Sequence, residues 1–86
     1  MEAFIDAAVH IGFSRDMART LVLQTILGAT RYTTESGKHP AELRNLVTSP
    51  GGTTTEGLLK LEEGALRALF TKAVIAAYEK AKPSGG

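Results

Sequence analysis

The sequence contains no cysteine. That absence removes disulfides, thiolate nucleophiles and Cys-based metal sites together, and it fits a reducing compartment. No charge of one sign dominates: ten Lys and Arg stand against nine Asp and Glu, a net charge of +1. Such a balance supplies no global field to gather phosphate backbones or anionic membranes, so neither nucleic acid nor a membrane is an expected partner. Aromatics, at 6% of residues, are too few for base stacking along the Arg15, Arg19 and Arg31 stripe. The most apolar stretch, Leu21 to Ala29, is interrupted by Gln24 and Thr25. It falls far short of the roughly 20 apolar residues of a membrane span. The first residues carry Glu2 and Asp6 rather than the basic start of a signal peptide, so a soluble cytoplasmic protein is expected.

Alternating polar and apolar residues, internal repeats and heptads are also lacking, which leaves an all-α domain. The 86 residues, 43% hydrophobic and 22% charged, suit one small folded domain with apolar surface left over for a partner. Residues 1–83 are assigned to it, and Ser84-Gly85-Gly86 to a disordered tail.

Five helices are expected. The first runs from Glu2 to Ile11, with Phe4, Ala7, Ala8 and Ile11 on one side and Gly12 as a left-handed cap. Ser14 is a good N-cap for a long second helix to about Glu35, stopped by Gly37. At about 100° per residue, Met17, Ala18, Leu21, Val22, Ile26 and Ala29 span half its circumference, and Leu23 and Leu27 fall opposite. So much apolar surface exceeds what one protomer covers and predicts an intimate oligomer. His39-Pro40 starts a short third helix with Pro at its first position, and Ser49-Pro50-Gly51-Gly52 breaks it. Thr53 to Glu56 has capping-box spacing, predicting a fourth helix with Thr53 as its N-cap, running to about Glu63. The last helix, about Ala65 to Lys82, gathers Leu66, Leu69, Phe70, Ala73, Val74, Ala77 and Tyr78 on a broad face and ends at Pro83.

The segment best suited to chemistry is VTSPGGTTTEG, Val47 to Gly57. Two glycines permit close approach to the backbone, and the N–H groups of Thr53, Thr54 and Thr55 carry the positive end of a helix dipole. Hydroxyls of Ser49, Thr53 and Thr54 add donors without formal charge, which suits a small carboxylate held and released repeatedly. It is neither a Walker loop, since no Lys follows the glycines, nor a dinucleotide fingerprint. From its residues alone, an ordinary capped helix start after a tight turn is the simpler account.

Other candidates are weaker. His10 and His39 have no acid at metal-ligand spacing and read as surface or capping residues, so no metal is expected. Glu62 and Glu63 point about 100° apart on a helix and make no acid/base pair. Tyr32 and Tyr78 read as core or interface residues. No residue is assigned a catalytic role.

The loop VTSPGGTTTEG resembles the signature of the pyrroline-5-carboxylate reductases. The preceding EAFIDAAVHIGFSRDMARTLVLQTILGATRYTTESGKHPAELRNL is similar to the family's helix pair and its Gly-x-His-Pro-x-x-Leu segment, and the following GLLKLEEGALRALFTKAVIAAYEKA to its terminal helices, so the resemblance covers residues 2 to 82. It implies the helical C-terminal domain of a two-domain enzyme, forming an interlaced dimer sometimes assembled into decamers. It also implies an N-terminal Rossmann domain, not part of this chain, that binds NADPH (or NADH) and delivers hydride to the C=N carbon of 1-pyrroline-5-carboxylate, making L-proline. No cofactor is then expected on this chain alone, which would be inactive by itself. The substrate carboxylate contacts carry over onto Ser49, Gly51, Gly52, Thr53 and Thr54, with Thr54 the principal one. Ala65 departs from the family's frequent glycine, a change expected to alter only local packing. Two alternatives stay open: a helical dimerisation module without ligand, and the same domain of a reductase for a related cyclic imine.

Overall fold

A computed structural model describes residues 1–83, all helix and loop; the tail assigned to residues 84–86 lies outside the described residues. The five helices are α1 (Glu2–His10), α2 (Arg15–Ser36), α3 (Pro40–Val47), α4 (Thr53–Glu63) and α5 (Leu66–Ala81). No strand occurs among the described residues, so the all-α expectation holds. None of these helices is long and apolar enough to cross a membrane.

The chain divides into two packing units, Met1–Leu46 and Val47–Gly86. In the first, α1 packs on α2. Ser14 caps α2 as its sequence predicts: its hydroxyl accepts the Met17 N–H at 3.2 Å, and Gly37 ends the helix in the left-handed region. Among the described residues the buried core is Ala18 and Val22, with Ile5, Ala8, Val9, Leu23 and Ile26 half-buried beside them. The inward face of α1 is therefore Ile5, Ala8 and Val9, not the expected Phe4, Ala7, Ala8 and Ile11; only Ala8 is shared. Phe4 and Ile11 remain exposed, and α1 stops at His10, a residue early. A short helix with apolar residues on two sides has no single face fixed by its own spacing; the neighbour decides it. Leu23 likewise turns inward despite falling opposite the main stripe of α2, while Met17, Leu21 and Ala29 stay exposed.

At the start of α3, His39 acts as a cap: its Nδ1 accepts the Ala41 N–H at 3.0 Å, and its carbonyl accepts from Glu42. Pro40, with no N–H to satisfy, takes the first helical position as expected.

In the second unit α4 packs on α5, yet no described side chain of either helix is buried. Phe70, Val74 and Tyr78 are each more than 60% exposed. The broad apolar face of α5 exists, but among the described residues of this unit nothing covers it. Between the two helices Ala65 has φ 58, in the left-handed region that L residues with a Cβ avoid. The expectation that this position concerns packing alone is thus corrected: its demand is on the backbone, and it is the demand a glycine meets without strain.

Candidate functional site

Ser49-Pro50-Gly51-Gly52 folds as a tight turn in which the Gly52 N–H donates to the Ser49 carbonyl at 3.0 Å. Proline fixes φ at the second position, and Gly51 takes φ 71 at the third, the pattern of a type II turn. The turn delivers the chain to Gly52, whose extended backbone is the N-cap of α4, and the helix begins with Glu56 N–H donating to the Gly52 carbonyl at 3.1 Å.

This boundary corrects the capping-box expectation. Thr53 is the first residue inside α4 rather than its N-cap, and the N-cap, a glycine, makes no side-chain cap bond. The Pro-Gly turn closes one residue earlier than Thr-x-x-Glu spacing implies, so the Thr53 backbone is already helical and its hydroxyl is not placed to cap. The ordinary side-chain-capped start does not form. Instead the N–H groups of Thr53, Thr54 and Thr55, which precede the first helical donor Glu56, have no intrahelical acceptor. An uncapped start of an eleven-residue helix presents parallel N–H dipoles and about half a positive charge, the arrangement that holds an anion.

The structure brings the five sequence-assigned residues together within the turn and the first turn of α4. Ser49, Gly51, Thr53 and Thr54 are exposed and Gly52 is half-buried. A Cβ built on Gly52 would stand 2.6 Å from Ser49 Oγ and 3.2 Å from the Ser49 carbonyl oxygen. A side chain at this position would displace the Ser49 hydroxyl and press on the Ser49 carbonyl, so the glycine keeps Ser49 close. Gly51, by contrast, has open space and is glycine for its φ.

One residue of the loop escaped sequence reasoning as a side chain. The Thr55 hydroxyl donates to the Ser49 carbonyl, six residues back, and Thr55 is half-buried where Thr53 and Thr54 are exposed. No spacing rule signals such a bond, since helical threonines ordinarily reach the carbonyl one turn back.

The remaining titratable groups take surface roles. Glu62 pairs with Arg67 at 3.2 Å and Glu63 with Lys60 at 3.5 Å, two separate exposed pairs. Arg15 pairs with Asp6 and Arg31 with Glu35. Tyr32 and Tyr78 are exposed in the chain, and Lys82 Nζ sits 4.8 Å above the Tyr78 ring. Among the described residues, no group of three or more His, Cys, Asp and Glu is placed to hold a metal.

Comparison with known proteins names the fold. The model of the family described as pyrroline-5-carboxylate reductase dimerisation matches residues 1–84. The pyrroline-5-carboxylate reductase of Methanosarcina acetivorans is 49% identical over 85 residues, which is 99% of this chain and 32% of that protein. The crystal structure of Plasmodium falciparum pyrroline carboxylate reductase with NADP bound superimposes with a TM-score of 0.92 at 40% identity, covering 99% of this chain and 32% of that one. The Coxiella burnetii pyrroline-5-carboxylate reductase structure gives 0.88 at 45% identity, over 93% and 30%. The chain thus spans about a third of the length of the relatives it matches. By fold, by loop and by a match over nearly its whole length, the chain belongs to the pyrroline-5-carboxylate reductase dimerisation family.

Proposed function

We propose that this chain is the dimer-forming and substrate-carboxylate-binding part of a reductase that converts 1-pyrroline-5-carboxylate to L-proline with NADPH or NADH. The observation that carries the binding half is the start of α4, which has no side-chain cap and whose first three N–H groups precede the first helical donor, next to the turn that carries Ser49. Ser49, Gly51, Gly52, Thr53 and Thr54 form the site. Gly51 and Gly52 let the backbone close into a tight turn, and the N–H groups at the start of α4 address the carboxylate oxygens. Thr54 adds a side-chain donor. Glu56, the one formal charge of the segment, lies in the first turn of α4 and disfavours a multiply charged phosphate more than a single carboxylate.

The described residues do not fit a dinucleotide, because they contain no strand and no G-x-G-x-x-G turn leading from one into a helix. The cofactor supplies hydride when bound to the rest of the enzyme. What this chain contributes is a fixed position for the imino acid, a role that requires no nucleophile of its own.

The dimer half is supported by the uncovered apolar face of α5 and by the family's description as a dimerisation domain. Light scattering is expected to show a dimer or larger assembly; a stable 9.1 kDa species would refute it. For the site, calorimetric titration with L-proline is expected to show binding that Thr54→Val weakens about tenfold, the effect of losing one hydrogen bond to a charged group. Unchanged affinity would remove Thr54 from the site. The loop addresses a carboxylate and carries nothing that gauges ring size, so a related cyclic imine is the second reading. Relative turnover of pyrroline and piperideine carboxylates by the intact enzyme decides between them.

A further inference from the structure

We propose that Thr55 is the positioning residue of this loop: its hydroxyl holds Ser49 against the start of α4, so that turn and helix present their donors as one rigid set. This deepens the carboxylate-site reading and rests on it.

Three observations converge. The Ser49 carbonyl accepts two hydrogen bonds, one from the Gly52 N–H inside the turn and one from the Thr55 hydroxyl in the first turn of α4. The second bond ties the far end of the turn to the helix, which the first alone does not do. Thr55 also behaves unlike other helical threonines here. Thr25, Thr30, Thr33, Thr34 and Thr71 each donate to the carbonyl four residues back, inside their own helix. Thr55 reaches six residues back, out of its helix and into the loop. Finally, Ser49 Oγ lies 2.6 Å from where a Cβ on Gly52 would stand, which places Ser49 beside the N-cap at the start of α4. Threonine is stiff at χ1, so its hydroxyl is an anchor rather than a tether.

The consequence is preorganisation: without the hydroxyl, the turn and helix start must be ordered when the ligand binds, and affinity falls. The test pairs hydrogen exchange at the Gly52 amide, in the free 86-residue chain, with calorimetric titration by L-proline. Thr55→Val keeps the shape and removes the donor; Thr55→Ala removes the donor together with the methyl but has better helix propensity, in case valine disturbs the fold. Both are expected to speed Gly52 exchange several-fold and to weaken proline binding about fivefold, the range of one neutral hydrogen bond. Thr55→Ser is expected to restore both. Unchanged Gly52 exchange in the hydroxyl-free variants would overturn the proposal while leaving the site standing if the wild-type chain binds proline. Faster exchange with unchanged affinity would overturn it too, reducing Thr55 to a structural residue. A wild-type chain that binds no proline would sink the carboxylate reading and this proposal together.

Discussion

The starts of α2 and α4 solve the same problem in opposite ways. Each helix opens with N–H groups that have no acceptor within the helix. At α2 a serine N-cap accepts the Met17 N–H, so one of the open donors is satisfied by a side chain, and the first turn carries Asp16. At α4 the N-cap is a glycine with no side chain to offer, and the Ser49 carbonyl before it accepts from the Gly52 N–H and the Thr55 hydroxyl. Ser14 serves stability. Gly52 forgoes that stability and leaves the donors of Thr53, Thr54 and Thr55 available to something from outside, which is why α4 rather than α2 is the candidate site.

The contrast breaks if the two caps prove interchangeable. Gly52→Ala is expected to have the largest effect, on binding: its Cβ would meet Ser49 Oγ at 2.6 Å and push the serine aside. Proline affinity should fall about tenfold or more, the effect of at least one lost hydrogen bond to a charged group. Thermal stability should change little, because φ −77 at this position suits alanine. Ser14→Ala should do the reverse, lowering unfolding free energy by about 1 kcal/mol with proline affinity unchanged.

The start of α5 offers a third case. Its N-cap, Ala65, neither bonds by its side chain nor relaxes by its backbone. Ala65→Gly should relieve the left-handed strain against glycine's larger unfolded-state entropy, a net gain of about 0.5 kcal/mol in chemical denaturation. The smallest effect is expected from Arg15→Ala at the start of α2. The Asp6–Arg15 pair is short, but both side chains are about two-thirds exposed, so its loss should lie within about 0.5 kcal/mol and shrink further in salt.

Most of the fold was legible because its punctuation is strong. Ser14, Gly37, Pro40 and the Pro50-Gly51-Gly52 break each act through local backbone chemistry, and each helix boundary fell within about two residues of expectation. Faces were less legible. The sequence of α1 offers Phe4 and Ile11 as readily as Ile5 and Val9, and only packing on α2 selects the second set. In α5 the described residues of its own unit bury no face. The loop's composition pointed to its donors, yet Thr53 through Glu56 misled on the cap. Spacing alone cannot tell a threonine N-cap from a glycine N-cap one residue earlier. The Thr55 to Ser49 bond and the left-handed Ala65 were illegible for the same reason: both follow from how a turn is placed against a helix, which no residue announces by itself.

The central claim is that α4 begins as an open carboxylate site. Titration of the chain with L-proline, followed at each backbone amide by NMR, tests it most directly. The expected result is saturable shifts concentrated at Gly51 through Thr55, with the amide of Met17 at the capped start of α2 unmoved. Amides of Thr53, Thr54 and Thr55 that stay fixed while proline is raised to saturation of the solvent would contradict it.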